Sequence, residues 1–181
     1  MTRVKVILTI LTVLSIAFSI LPDIKAQQTE TTSQPQQRMK ATEQQVDQIK
    51  TCLKAAYKVR TEAKSLEQAS ADPHFRNFVA QMVEELQRLT QRAQNEHKKF
   101  VESLSPDYLK QLQQHIAGID EISARMNVNL QKMEQEAIKS DPDRDRIVQL
   151  SLDLARGMED WQRLYRNIGS DMGVKFEAGR V

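Results

Sequence analysis

The chain lacks most of what makes a small secreted domain or an enzyme easy to recognise. It has one cysteine, Cys52, so no internal disulfide can form and a disulfide scaffold is excluded. Core packing must supply the stability. Five glycines and five prolines in 181 residues leave few breakers, and no stretch alternates polar and apolar residues as a half-buried strand does. What remains is dominated by Gln, Glu, Lys, Arg, Leu and Ala, the composition of long helices. Gly-x-Ser-x-Gly, a phosphate-cradling glycine loop and His-Glu-x-x-His are all missing. So are the Glu-x-x-His pairs of a ferritin-like dimetal bundle and the Cys-x-x-Cys-His of attached haem. An enzyme is not expected.

Net charge is nearly absent too. There are 26 basic and 24 acidic residues. Removing residues 1–26, which hold Arg3, Lys5, Lys25 and Asp23, leaves 23 of each sign. No electrostatic attraction to nucleic acid or acidic lipid survives that loss. Residues 1–26 matter because Val6–Leu21 is the one long apolar run, preceded by Arg3 and Lys5 and closed by Pro22. A basic start, an apolar centre and a small residue before a polar stretch form the layout of a secretory signal, with cleavage expected after Ala26. Sixteen helical residues rise about 24 Å, short of the ~30 Å hydrocarbon core. Export to a periplasm or medium is the expectation, with no stable membrane insertion after cleavage. An uncleaved anchor at residues 6–21 is the alternative. Residues 27–38, QQTETTSQPQQR, hold no apolar residue and are expected to be a disordered linker.

Three cap-proline pairs divide the rest: Asp72-Pro73, Ser105-Pro106 and Asp141-Pro142. The Asp or Ser oxygen can accept free amide hydrogens, and proline suits the first helical position. Their regular spacing predicts four helices, about 40–69, 73–103, 106–139 and 142–168, with residues 169–181 a flexible tail. Apolar residues step by three and four along each, the seam of helices packed at shallow angles. On helix 2 the seam is expected to run Phe75, Val79, Met82, Leu86, Leu89, Ala93 and Phe100. On helix 3 it includes Ile119, Ser123 and Met126. Short connections make neighbours antiparallel. The fold expected is all-α: an up-and-down antiparallel four-helix bundle over residues 39–168. Helix 1 offers mostly Ala and Cys and is the weakest contributor. Two hairpins that pair with a second chain are the rival arrangement.

Candidates for chemistry are few. His97 and His115 flank the turn at Ser105 and are expected at nearly one height, close to Trp161. They could hold a metal or haem iron between helices, with Glu96 or Asp47 as a further ligand. Both also suit partly exposed positions beside the seams, which needs no ligand, and no cofactor is expected. Cys52 lies on helix 1's apolar stripe, where a cysteine is a small hydrophobe; an exposed thiol crosslinking two chains is the alternative. The functional expectation is an exported, non-enzymatic bundle acting through another protein, a misfolded client or self-association. Two alternatives are a bundle holding a metal, haem or small apolar ligand near His97, His115 and Trp161, and an apolipoprotein-like binder of lipid surfaces.

Overall fold

Helix starts follow the capping chemistry at three of four places. The computed structural model describes residues 39–176. The leader with its cut at Ala26, the linker 27–38 and the last residues, 177–181, lie outside the described residues. Four long helices follow: α1 Glu43–Ala69, α2 Val79–Glu102, α3 Pro106–Ala137 and α4 Arg144–Asp171, with a short 3-10 turn at Phe75–Asn77. Among the described residues there is no strand, and no helix is long and apolar enough to cross a membrane.

Thr42 and Gln45 form a reciprocal capping box at the start of α1. Ser105 Oγ accepts from Tyr108 N at 3.3 Å, and Asp143 Oδ1 accepts from Arg146 N at 3.0 Å. Asp143, not Asp141, is therefore the α4 cap. Glu136 helps set that start, since its carboxylate accepts both Asp143 N at 3.0 Å and Lys139 Nζ at 2.6 Å. Those two donors hold its carboxyl below the usual range.

The exception is Asp72-Pro73. Asp72 Oδ1 takes His74 N at 2.7 Å, and its carbonyl takes Phe75 N at 3.1 Å, which closes a tight turn instead of opening a helix. Phe75 and Phe78 then meet edge to face, 5.8 Å between centroids. Arg144 lies over the Phe75 ring and donates to Asp72 O. Burying an aromatic plug across this end displaces the start of α2 from residue 73 to Val79.

Each helix runs against its neighbours in sequence. Gln45 and Gln48 near the start of α1 reach the main chain of Ser103 and Lys99 near the end of α2. Gln87 and Gln94 of α2 reach Glu134 and Asn127 of α3. His115 of α3 reaches Asp171 of α4. The ring closes between α4 and α1, where Ser151 donates to Ala63 O and Gln162 Nε2 to Leu53 O at 3.3 Å. A side chain can reach a neighbouring helix's carbonyl only where the two backbones approach closely. The small residues Cys52, Ala56 and Ala63, all fully buried, permit this. Helix 1 is thus a full member of the core through close approach.

On two helices the buried row differs from the sequence pattern. On α2 the buried row is Val79, Val83, Leu86, Thr90, Ala93, His97 and Phe100, while Met82 and Leu89 are only half-buried. On α3 Ile122 takes the buried place expected of Ser123, whose hydroxyl turns back to Ile119 O at 2.8 Å. Each shift is by one residue, and on α2 the expected and the observed rows both step by three and four, so spacing alone admits either.

The two ends of the described bundle are joined. Ala41 N donates to Met172 O at 2.9 Å, and Tyr108 Oη bridges the amide and carbonyl of Lys40 at 3.1 and 3.2 Å. After α4, Gly173 adopts a φ of +74°, the left-handed turn that glycine takes most readily. Val174 N then bonds back to Gly169 O at 2.7 Å, and Phe176 folds over Gly169, where a Cβ would overlap its ring. Residues 169–176 are therefore part helix and part packed hook, not a loose tail.

Candidate functional site

The shift of the α2 seam places His97 inside the bundle. Only 6% of it is exposed, so the expected flanking position is corrected: 93, 97 and 100 step by four and three along the buried row. Its ring meets Trp161 at 5.4 Å and Tyr165 at 5.9 Å, both edgewise, and Phe100 touches Tyr165 at 5.7 Å. Trp161 and Tyr165, one turn apart on α4, stack at 6.0 Å. Both are fully buried. The sequence reading named His97 and Trp161, and the structure brings these two together.

His115 does not join them. It pairs with Asp171 at 3.1 Å, whereas His97 Nε2 faces Asp120 at 3.3 Å. Residues 115 and 120 are about 7.5 Å apart along a helix axis, so the expected level pair of imidazoles does not form. Glu96 is held by Lys99 at 2.9 Å, and Asp47 is exposed on α1. Among the described residues no three His, Cys, Asp or Glu side chains gather as a metal site.

Two residues absent from the sequence reading complete the cluster, Tyr165 and Asp120. Tyr165 Oη lies 2.7 Å from His97 Nδ1. The carboxylate of Asp120 only accepts, so His97 Nε2 carries the proton and Nδ1 accepts from the tyrosine hydroxyl. Burial raises the Tyr165 phenol well above its ordinary value, which keeps it a donor. Tyr165 was discoverable from its i+4 spacing to Trp161 on the apolar row. Asp120 was not, since a charged residue beside Ile119 looks like any solvated position.

Cys52 approaches Tyr165 from α1. It is fully buried, and desolvation pushes its thiol up to about 12, only partly offset by the Tyr165 hydroxyl. A rise from 9.0 to about 12 cuts the thiolate fraction roughly a thousandfold. Native protein at mildly alkaline pH should therefore react with a thiol reagent at least ~100-fold more slowly than protein in denaturant. Non-reducing electrophoresis should show no crosslinked dimer. Labelling at the rate of a free thiol would place Cys52 on the surface.

Trp161 Nε1 and Thr90 Oγ1 are buried without a hydrogen-bond partner. Each such group costs about 1–3 kcal/mol. The cluster as a whole is a row of donors and acceptors, Tyr165 to His97 to Asp120, with one end in the core and one at solvent. It can hold or pass a proton.

The surface carries a separate feature. Between α3 and α4 lies a groove of about 690 Å³. Gly157 lines it with Ile122 and Met126, and a Cβ at Gly157 would meet those two side chains at 3.5–3.6 Å, an ordinary contact distance. Val128, 48% exposed, stands on its rim. Arg125, Lys132 and Arg156 line it with Asp153 and Asp160. Both acids are engaged, Asp153 by Arg156 at 3.2 Å and Asp160 by Arg163 at 2.7 Å.

Comparison of this chain with family models, curated proteins and solved structures yields no match.

Proposed function

We propose that this chain is exported by its N-terminal leader and acts, without catalysis, by binding another protein along the α3–α4 face of its bundle. The leader pattern of residues 1–26 supports an extracytoplasmic location. The observation that carries the binding reading is the groove at Gly157. A missing side chain there keeps open a channel that runs along residues 122–132 of α3 and 153–160 of α4, beside an exposed apolar residue, Val128. With Asp153 and Asp160 already paired, the α3 rim offers Arg125 and Lys132, two helical turns apart. The occupant these features fit is an amphipathic helical segment, its apolar stripe on Val128 and the Gly157 floor and its acidic flank toward α3.

A photocrosslinking residue at Val128, expressed in the exporting cell, should give a discrete adduct. The same probe at exposed Gln113 should not. Reversing the rim with Arg125→Glu and Lys132→Glu should abolish the Val128 adduct while leaving the helical circular dichroism unchanged. Equal adducts from both probes, no adduct at all, or an adduct indifferent to the reversed charges would sink this reading.

A further inference from the structure

His97 stands at the border of core and solvent, and its two nitrogens face opposite ways. Nδ1 accepts from the buried Tyr165 hydroxyl at 2.7 Å. Nε2 donates to Asp120 at 3.3 Å, a carboxylate whose side chain is 65% exposed. As a neutral ring, His97 satisfies both partners at once. A second proton breaks that arrangement. Nδ1 becomes a donor and can no longer accept from Tyr165, whose own proton must find another acceptor. The polar group next to it on the inner side is the Cys52 sulfur, a weak acceptor. On the outer side protonation has the opposite effect, turning the Asp120 contact into a charge-assisted bond.

We propose that His97 is an acid-operated latch: neutral, it ties α2 to Tyr165 of α4 through the core; protonated, it withdraws toward Asp120 and water, and α2 loses its tie to α4 and loosens in the bundle. The packing of α2 is suited to this. Of the four neighbouring helix pairs, α2 and α3 share the thinnest interface. They are joined near its rim by side-chain bonds at exposed positions, Gln87 to Glu134 at 3.0 Å and Gln94 to Asn127 at 2.9 Å. By contrast, α1 and α4 are held by buried bonds to main-chain carbonyls, from Ser151 and Gln162, which no histidine governs. The charged and titratable groups around the latch are few. Asp120 faces it from α3, Tyr165 from α4, Cys52 from α1 behind Tyr165, and on α2 itself Glu96 is occupied by Lys99.

Burial holds the His97 imidazole below its ordinary value of 6.5, against the opposing pull of Asp120. The folded protein therefore binds this proton less readily than the unfolded chain. The stability tied to neutral His97 is complete above about pH 6.5 and is lost as the pH falls below it, by up to tenfold in the folding equilibrium per pH unit. Loosening α2 bares its apolar row. This latch is independent of whether the α3–α4 groove has an occupant.

The test compares the purified protein with His97→Gln, whose amide oxygen can accept from Tyr165 and whose amide nitrogen can donate to Asp120 without titrating. Between about pH 6.5 and 5.5, the native protein should lose several-fold in its folding equilibrium by denaturant titration and should gain binding of an apolar dye. His97→Gln should show neither change, and His115→Gln should retain both. A flat native profile, or the same loss in His97→Gln, would overturn the latch. If His97→Gln fails to fold, the imidazole resonances of the native protein decide, assigned with His74→Gln and His115→Gln. A His97 resonance titrating below about 6.5 supports the latch and one at or above it overturns it.

Discussion

Ile119→Asp, or Leu154→Asp, should lower the stability of this protein by about 4 kcal/mol or more. Both positions are fully buried, one on α3 and one on α4. An aspartate there has two courses, and both are costly. It can stay ionised with no cation in the core, or take up a proton and leave a polar acid among methyl groups. The missing aliphatic carbons add a packing loss to either. Gln113, exposed on α3, sets the contrast, and its replacement should move stability by no more than about 0.5 kcal/mol. Glu159 pairs with Arg60 at 2.8 Å and Lys64 at 3.7 Å at a half-exposed site, so its loss should cost under about 1 kcal/mol. Denaturant midpoints at constant slope measure all four. Similar losses at buried and exposed positions would mean that the seams assigned to α3 and α4 are wrong.

Trp161→Ala should be nearly as damaging, at about 3–5 kcal/mol. The ring is fully buried, stacked on Tyr165 and edge-on to His97. Next to it, Gln162 bonds to Leu53 O and fixes that turn of α4 against α1. Truncation leaves a cavity that two anchored helices cannot easily collapse around. Trp161→Phe separates packing from polarity. Phenylalanine keeps most of the ring and removes an indole N–H that has no partner, so the cost should fall to about 1 kcal/mol or less. Circular dichroism must follow unfolding, because the chain has a single tryptophan and the substitution removes its fluorescence. An alanine variant within about 1 kcal/mol of the native protein would show that the aromatic cluster is not central to the core.

The four helices were legible because each carries its own evidence. Ser105 caps α3 in the structure as its sequence context predicts, since a cap is satisfied within one turn. Asp72-Pro73 shows the limit of that rule. It has the same local signal, yet Phe75 and Phe78 are better buried across the end of the bundle than set on an extended α2. The candidate site was legible in part. His97 and Trp161 were marked by residue type and rough height. The exclusion of His115, and the roles of Tyr165 and Asp120, depended on a one-residue choice of seam. Val83 in place of Met82 and Thr90 in place of Leu89 turn His97 from the flank to the interior, and apolar spacing cannot separate two rows that both hold enough apolar residues.

By itself the sequence determined the helical content, the number of helices, their order and most of the buried rows. These follow from spacing, capping and scarcity of breakers, all of which act within a few residues. Only the tertiary structure decided which of two adjacent rows on α2 faces inward, that the small residues of α1 admit the side chains of α4, and that Tyr165, His97 and Asp120 form one chain of hydrogen bonds. Those outcomes depend on how closely separate helices approach and how far each is rotated, quantities set by the packing of all four together.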